Sequence, residues 1–173
     1  MILKGRHTNL RALEPGDLEF LYELENNPEI WEISGTITPY SRHVLKMYLD
    51  NAHRDIYEVK QLRLSICNEQ DKVIGFIDLF DFDPKHQRAG IGIVILDKED
   101  RNNGHGSEAL ALLCDYAFQI LNLNQVYANV GESNEPSIHL FKKMGFNLAG
   151  VKKDWILSGG EFKNELLFQK ICQ

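Results

Sequence analysis

A glycine-rich segment at residues 101–107 is the sharpest chemical signal in this 173-residue sequence. It contains Gly104 and Gly106, and helical periodicity begins directly after it. The first turn of a helix has free backbone N–H groups, and the helix dipole adds about half a positive charge there. Glycines lack a Cβ, so a ligand can approach those groups closely. A diphosphate is the natural ligand of such a segment, although the same two glycines would also suit an ordinary turn.

Two other nucleotide-binding patterns compete with this interpretation. The P-loop pattern GxxxxGK followed by Ser or Thr occurs nowhere in the sequence. The dinucleotide fingerprint GxGxxG/A is matched formally by residues 104–109. That motif needs its first glycine close to the end of a strand, whereas residues 97–103 separate this glycine from the preceding apolar run. The spacing therefore argues against a dinucleotide site.

Three carboxylates, Asp78, Asp81 and Asp83, lie in or beside one predicted strand. Period-two counting predicts that one face of this strand carries Ile74, Phe76, Asp78, Phe80 and Phe82. A carboxylate among such neighbours would be partly desolvated, which suits a general base or an anchor for an ammonium group. Asp81 falls on the opposite face. Asp83 fits a solvated turn equally well, and nearby His86 is another candidate base.

The elements that would position these residues follow from hydrophobic periodicity and turn residues. The predicted strands are 8–13, 60–67, 72–82, 87–96, 125–130, 146–157 and 161–171. The predicted helices are 15–25, 41–52, 104–121 and 134–143, with Ile120 on the core face of the third, and residues 33–40 are predicted as a loop. Strand 87–96 is nearly all apolar in its second half, which predicts burial on both faces. Hairpins flank one strand–helix–strand unit, so the prediction is an α/β fold with a mixed, mostly antiparallel central sheet flanked by helices.

Composition and length limit what the chain can be. With 173 residues, 43% of them hydrophobic, it is predicted to form a single domain over residues 1–173. The formal net charge of −6 argues against nucleic acid as a partner, because phosphate binding needs a basic face. No apolar run reaches the roughly 18 residues of a membrane helix, so no membrane partner is predicted. Residues 1–6 lack the apolar core of a signal peptide, which predicts a cytoplasmic location.

The three cysteines, Cys67, Cys114 and Cys172, are far apart in the sequence. Their odd number and spacing predict reduced thiols, two of them in the core, rather than a disulfide framework. No cluster of cysteine and histidine has the spacing of metal ligands, so no metal site is predicted.

The glycine loop belongs to a larger pattern that resembles the GNAT superfamily of N-acetyltransferases. In that superfamily a buried strand leads to R/Q-x-x-G-x-G/A, a long helix, another strand and then N-x-x-S/A-x-x-x-Y/F-x-x-x-G-F. The matching residues here are Arg101-Asn102-Asn103-Gly104-His105-Gly106 and Asn134-Glu135-Pro136-Ser137-Ile138-His139-Leu140-Phe141-Lys142-Lys143-Met144-Gly145-Phe146. The resemblance covers nearly the whole chain. Residues 26–28 and 121–123 are similar to the branch of ribosomal-protein N-terminal and spermidine acetyltransferases.

This resemblance implies that the chain binds acetyl-CoA as a co-substrate, with the diphosphate on the glycine loop. The pantetheine arm would pair like an extra strand with the central strand, if that strand separates from its neighbour and leaves its amides free. Asn134 would both cap a helix and lie near the cofactor. The implied cofactor-binding residues are Ile93, Val94, Ile95, Arg101, Asn102, Asn103, Gly104, His105, Gly106, Ser107, Asn134 and Phe141.

The implied reaction is acetyl transfer from the thioester to a primary amine by direct attack. The amine must first lose a proton, because a primary ammonium has a pKa of about 10.4. Many members of the superfamily carry a tyrosine at the position of Phe141, which protonates the departing thiolate. Here Tyr116, Tyr127, a water molecule or unassisted departure would have to replace it.

Many members also carry a glutamate near the start of the central strand, where this chain has Gly90. The nearest carboxylates are those of the preceding strand. We therefore expect Asp78 and Asp81 to be the catalytic residues.

Three alternatives remain open for the activity. A polyamine acceptor needs a carboxylate-rich pocket, which Glu25, Glu29 and Glu32 favour, whereas residues 33–38 carry no acid. A protein N-terminus needs a groove, which the loop around those residues and the turn at 158–160 would flank. The third alternative is a non-catalytic acyl-CoA-binding module, because both usual catalytic side chains are missing.

Members of the superfamily often dimerise through their C-terminal strands. The apolar run at residues 166–168 could contribute to a homodimer here. The same run would also fit an ordinary core.

Overall fold

The computed structural model describes residues 3–172, and over that range the chain forms seven β-strands and six α-helices. The strands are β1 (Asn9–Ala12), β2 (Leu62–Cys67), β3 (Val73–Asp83), β4 (Arg88–Ile95), β5 (Gln125–Gly131), β6 (Asn147–Ser158) and β7 (Glu161–Ile171). The helices are α1 (Leu18–Glu25), α2 (Pro28–Ser34), α3 (Arg42–Asp50), α4 (Ile56–Val59), α5 (His105–Gln119) and α6 (Glu135–Lys143).

The strands form one sheet in the order β1-β2-β3-β4-β5-β7-β6. Neighbouring strands are antiparallel except β4 and β5, which the crossover through α5 makes parallel. This parallel pairing is confined to residues 88–90 of β4 opposite residues 125–127 of β5. From Ile91 onward β4 pairs only with β3. The predicted mixed sheet is confirmed, and its two central strands separate along their length.

Two apolar clusters cover the two faces of the sheet. The larger cluster packs α5 and α6 against one face, with Leu110 and Leu113 fully buried. The smaller cluster joins α1, α2 and α3 to the other face through Leu21, Leu45 and Phe76. Fully burying one such side chain stabilises the fold by roughly 2 kcal/mol. The sheet is thus a single layer with helices on both sides, as the sequence predicts.

Two short helices, α2 and α4, lie where the sequence predicts none. Asn27 caps α2, since its side chain accepts the N–H of Glu29 at 2.9 Å. Pro28 occupies the first helical position, where its missing N–H loses no hydrogen bond. The Asn-Pro pair that ends α1 therefore also starts α2, and the predicted loop begins at Gly35 rather than Ile33. Helix α4 is a single turn, too short to give a periodic signal.

Two expectations about burial are wrong. Ile120 lies beyond the end of α5 and is 50% exposed, so it is not part of the core face. Strand β4 is not buried on both faces throughout. Ile91 is buried, but Ile93, Val94 and Ile95 are half-buried, because β5 has moved away from this half of the strand.

A β-bulge in β3 changes which residues share a face with Asp78. Asp81 has a left-handed backbone with φ of 48°, and the pairing with β4 slips between Phe80 and Asp83. Beyond the bulge, Phe82 packs into the larger core cluster. The period-two expectation that Phe82 and Asp78 lie on one face is therefore wrong.

The cysteines and the C-terminal apolar run contribute to packing. Cys67 and Cys114 are buried and Cys172 is exposed, as the sequence predicts. The run at residues 166–168 pairs with β5 inside the sheet, and Phe168 is fully buried. This run therefore packs, in part, into the core of the chain.

A buried ion pair ties the start of α1 to the edge of the sheet. Asp17 is 5% exposed, and its two oxygens accept hydrogen bonds from the Arg11 guanidinium at 2.8 Å each. The Ser65 hydroxyl and the Glu14 backbone N–H also donate to this carboxylate, at 3.1 and 2.9 Å. Burial alone would raise the pKa of Asp17, but these hydrogen bonds and the charge of Arg11 outweigh burial and hold the pKa below its usual value.

We expect Asp17→Asn to lower the free energy of unfolding by about 2 kcal/mol at neutral pH, because charge-assisted hydrogen bonds are lost. The folded-state pKa of Asp17 is depressed from 3.8, so its stabilisation is full above that value and is lost as the pH falls through the folded pKa. Urea unfolding followed by circular dichroism, at neutral pH and well below pH 3.8, measures this. The difference in free energy of unfolding between parent and variant should be smaller in acid than at neutral pH. The same difference in free energy of unfolding at both pH values would contradict a stabilising charge on Asp17. Glu19→Gln is the control, because Glu19 belongs to an exposed pair with Arg42.

Candidate active site

An open cavity of about 750 Å³ lies where β4 and β5 separate. Its floor is formed by β3 and β4, and one wall by the end of β5 and the start of α6. Its mouth, as we call it, lies between α2 and the tip of the β6–β7 hairpin. Ligand sites are usually concave and of about this volume.

Among residues 3–172, no strand pairs with the edge of β4 that faces this cavity from Ile91 to Ile95. Of the three residues predicted to hold pantetheine, Ile93 and Val94 line the cavity. Ile95 adjoins the glycine loop instead, since its side chain lies 3.8 Å from the position a Cβ would take at Gly106. A free strand edge presents backbone N–H and C=O groups. It can therefore pair with an extended ligand that carries amides.

The first turn of α5 presents unpaired backbone amides. The first hydrogen bond of the helix runs from the N–H of Glu108 to the carbonyl of Gly104, at 3.0 Å. The amides of His105, Gly106 and Ser107 therefore have no partner within the helix. Gly104 occupies the cap position with a left-handed φ of 86° and makes no side-chain cap. This geometry suits an anion, and the loop lies beside the cavity rather than in its lining.

The side chains of the preceding residues shape the loop. The Arg101 guanidinium donates to the carbonyl oxygens of Ile95 and Leu96 at 3.0 and 2.9 Å. Asn102 has a left-handed φ of 62°, and the Asn103 side chain donates to a carbonyl of the preceding turn at 2.8 Å. The side chains of Arg101 and Asn103 are thus engaged with the protein's own backbone.

The N-terminal segment holds the other side of this turn. The Glu108 carboxylate accepts the backbone N–H groups of Arg6 and His7, the latter at 2.9 Å. The Thr8 hydroxyl lies 2.9 Å from Nδ1 of His105. The His105 side chain is therefore engaged with Thr8, and its backbone is the part presented to a ligand.

Helix α6 contributes three residues to the cavity wall. Asn134 caps the helix as predicted, accepting the N–H of Ser137 at 3.2 Å. Asn134, Ser137 and Phe141 all line the cavity. The Phe141 ring is buried and packs edge-on against Phe146, with ring centres 5.0 Å apart. Phe141 therefore offers an apolar surface and no proton donor.

The ring of Phe80 fills the space beside Gly90 on the neighbouring strand. A Cβ at Gly90 would come within 2.2 Å of this ring. The ring also meets Tyr127 edge-on, with centres 6.0 Å apart, and it lines the cavity. The position at which many GNAT proteins carry a glutamate is therefore covered by an aromatic side chain.

Arg63 joins two carboxylates at the cavity floor. Its Nε and Nη2 donate to Asp78 at 2.6 and 3.2 Å, and its Nη1 donates to Glu25 at 2.6 Å. Arg63, Asp78 and Glu25 are 21%, 17% and 14% exposed. The rings of Tyr48 and Phe76 lie 5.8 and 5.7 Å from the guanidinium. Burial alone would lower the pKa of Arg63, but the charge and hydrogen bonds of Asp78 outweigh it and raise the pKa above its usual value.

Asp81, the second predicted catalytic residue, lies outside the cavity lining. It is exposed and accepts a hydrogen bond from the Tyr127 hydroxyl at 3.4 Å. Burial and the charge of Asp81 raise the pKa of Tyr127. Tyr116 and His86 also lie away from the cavity, and Asp83 accepts the backbone N–H of His86 at 3.0 Å in the turn after β3. The structure therefore brings one of the two predicted catalytic carboxylates to the cavity.

Carboxylates dominate the lining contributed by residues 3–172. The acidic residues that line the cavity are Glu25, Glu29, Glu32, Asp78, Glu132 and Glu165, and the basic residues are Arg63 and Lys163. Glu165 is paired with Lys152, and Glu132 accepts two hydrogen bonds from Asn164, at 2.8 and 3.0 Å.

The sequence analysis did not identify Arg63 as a site residue. The signal that could have found it was a charged residue inside the apolar strand Leu-Arg-Leu-Ser-Ile-Cys.

The part of the chain that the structure describes brings no three metal-ligating side chains together. Within residues 3–172, no helix is long and apolar enough to cross a bilayer.

Comparison with known proteins agrees with this geometry. Residues 7–147 match the family model described as the acetyltransferase (GNAT) domain. The spermidine N(1)-acetyltransferase of Vibrio cholerae is 32% identical over 155 residues, which cover 90% of this chain and 87% of that protein. The Escherichia coli (strain K12) protein of the same name is 29% identical over 157 residues, covering 91% and 82%. The crystal structure of the V. cholerae spermidine N-acetyltransferase with CoA and spermine has a TM-score of 0.85 at 26% identity, and 95% of each chain is covered.

The comparisons favour an enzyme over a non-catalytic acyl-CoA-binding module. The free edge of β4 can pair with an extended ligand that carries amides, and the amides of the glycine loop can bind an anion. The chain belongs to the acetyltransferase (GNAT) family and is an acetyl-CoA-dependent N-acetyltransferase that acts on a primary amine.

Proposed function

We propose that this enzyme acetylates a primary amine of a polyamine of the spermidine class. The observation that carries the proposal is the charge of the cavity, whose lining holds six carboxylates and two basic side chains within residues 3–172. A polyamine brings several ammonium groups, and each of them needs a partner when it leaves water. The named activity of the Vibrio cholerae and Escherichia coli relatives supports the same acceptor.

The inner and outer carboxylates would have different tasks. Glu25 and Asp78 already share Arg63, so the floor of the cavity is close to balanced in charge. Glu29 and Glu32 lie on α2 at the mouth, where each can receive an ammonium group of the acceptor. An exposed ion pair contributes about 0.2–1 kcal/mol, because water and salt screen it. The mouth would therefore hold the distal, charged part of the acceptor.

Asp78 would orient the reacting amine and receive its proton, directly or through water. It lies opposite Gly92 on β4, within the stretch where β4 has left β5. Arg63 donates one hydrogen bond to each Asp78 oxygen, and a carboxylate has about four acceptor positions. Asp78 can thus accept a further hydrogen bond from the amine while Arg63 holds it in place.

The cofactor would lie along the free edge of β4, with its diphosphate on the amides of residues 104–107. The thiolate would leave without a tyrosine, because Phe141 supplies no hydroxyl and neither Tyr116 nor Tyr127 is among the residues that line the cavity. A thiol has a pKa of about 8.5, so unassisted departure is chemically reasonable. The homodimer suggested by the resemblance stays a prediction.

A protein N-terminus is less compatible with the mouth of the cavity. An extended peptide needs an open groove between α2 and the β6–β7 hairpin. Instead, the Ser158 hydroxyl donates a hydrogen bond to Glu32 across this space. A peptide chain that followed this route would first have to open the contact.

The first test is an acceptor panel, with release of CoA followed by a thiol reagent. We expect kcat/KM for spermidine to exceed that for a monoamine by about tenfold or more, because additional ion pairs contribute on the order of 1 kcal/mol each. The advantage should shrink when the salt concentration approaches about 1 M, since exposed charges are then screened. Faster reaction with peptide amines, or no dependence on salt, would contradict a polyamine acceptor.

The second test compares two aspartates of β3. We expect Asp78→Asn to lower kcat by about 100-fold or more, the usual range for loss of a general base, with the Kd of CoA unchanged. Asp81→Asn is the matched control and should retain parental kcat, because Asp81 is exposed and outside the cavity lining. Asp78→Asn also removes a partner of Arg63, so thermal unfolding is recorded in parallel. Equal kcat values for the two variants would remove Asp78 from the mechanism.

The third test concerns the glycine loop. Alanine at Gly104 would have to adopt a φ near 86°, which costs a non-glycine residue roughly 1–3 kcal/mol. We expect Gly104→Ala to raise the Kd of CoA by about tenfold, measured by calorimetry, as the loop relaxes. A Cβ at Gly106 would meet only ordinary van der Waals contacts, the nearest of them with Leu140 at 3.6 Å. Gly106→Ala should therefore fold normally, and its Kd for CoA should be lower than that of Gly104→Ala. Equal affinities would argue against the diphosphate assignment.

A further inference from the structure

A chain of polar contacts crosses the mouth of the cavity. The Ser158 hydroxyl at the hairpin tip donates to the Glu32 carboxylate on α2, although the two residues are 126 positions apart in the sequence. Lys163 of β7 donates from Nζ to the Ser158 oxygen at 3.0 Å. The same Nζ lies 3.9 Å from Oε1 of Glu32. Carboxylate, hydroxyl and ammonium together link the two sides of the mouth, and we call this chain of contacts the mouth bridge.

The ammonium in the mouth bridge has the chemistry of the proposed acceptor. Lys163 ends in a primary ammonium on a flexible aliphatic stem, as a polyamine does. It occupies a position on Glu32 that an ammonium group of the acceptor would otherwise take. The other basic residue of the cavity lining, Arg63, is a guanidinium held at the floor by two carboxylates.

The mouth bridge is also weak enough to be exchanged. Lys163 and Glu32 are 35% and 62% exposed, and their charged atoms are 3.9 Å apart. Ion pairs of this kind contribute about 0–1 kcal/mol, because water and salt screen them. Arg63, in contrast, is largely buried and hydrogen-bonded to both of its partners. An incoming cation can therefore displace Lys163 far more easily than Arg63.

We infer that Lys163 is a specificity-determining residue, a tethered cation that holds Glu32 until an ammonium group of the acceptor replaces it. This inference rests on the proposed polyamine acceptor. The second ammonium group of a polyamine can bind Glu32 only after the mouth bridge breaks. A monoamine has no second ammonium group and does not bind Glu32. Lys163 would thus lower the affinity for every polyamine while leaving acetyl-CoA unaffected.

Steady-state kinetics of Lys163→Met with spermidine tests this inference. We expect the KM for spermidine to fall about two- to fivefold, the equivalent of one exposed ion pair, with the KM for acetyl-CoA unchanged. Lys163→Arg should stay close to the parent, because it restores a cation. Lys153→Met is the control for net charge, since Lys153 is exposed on β6 and outside the cavity lining. An equal fall in KM for Lys153→Met, or an unchanged or higher KM for Lys163→Met, would overturn the inference.

A double-mutant cycle separates exchange on Glu32 from a general effect of charge. In a Glu32→Gln background, Lys163→Met should no longer lower the KM for spermidine, because the carboxylate that both cations compete for is gone. A gain of the same size in both backgrounds would contradict competition at Glu32. If the parent enzyme releases no CoA with any polyamine, the proposed acceptor fails. If the parent turns over spermidine but the cycle shows no coupling, only the role of Lys163 fails.

Discussion

The separation of β4 from β5 is the constraint on which the rest of the molecule depends. The two strands are parallel neighbours for three residue pairs and then diverge, while β4 stays paired with β3 and β5 with β7. The divergence exposes one edge of β4, opens the cavity, and leaves α5 and α6 to close the gap from one face. Backbone groups that a regular sheet would satisfy internally are therefore available to a ligand. The apolar side chains of the same segment pack, partly buried, against the core, so one segment combines packing with a free backbone edge.

Charge is distributed in two distinct ways around this opening. Arg11 with Asp17, and Arg63 with Asp78 and Glu25, are partly buried pairs whose hydrogen bonds compensate for the loss of water. Such pairs fix geometry, because removing one partner leaves an uncompensated charge. The pairs at the mouth are exposed and loosely spaced. The enzyme thus combines a rigid polar floor with a rim whose ionic contacts can be rearranged.

Sequence patterns predicted most of the fold because its elements are local. The hairpins, the long helix after the glycine loop and the Asn134 cap all depend on residues a few positions apart. The floor of the site was not predictable in the same way. Arg63 meets partners 15 and 38 positions away, and nothing in the local pattern specifies that pairing. The bulge at Asp81 could not be predicted from the sequence pattern either. A single left-handed residue reverses the alternation of faces that period-two counting assumes.

The contact between Phe80 and Gly90 has a consequence for how this site can change. Any side chain at position 90 collides with the ring opposite, so the two positions cannot vary independently. A carboxylate at position 90 requires the Phe80 ring to move, and a smaller residue at position 80 would remove that requirement. With the ring in place, the strand pair at the centre of the sheet would be overpacked. The side chains at positions 80 and 90 are therefore coupled, and the aromatic ring at the one opposes an acidic side chain at the other.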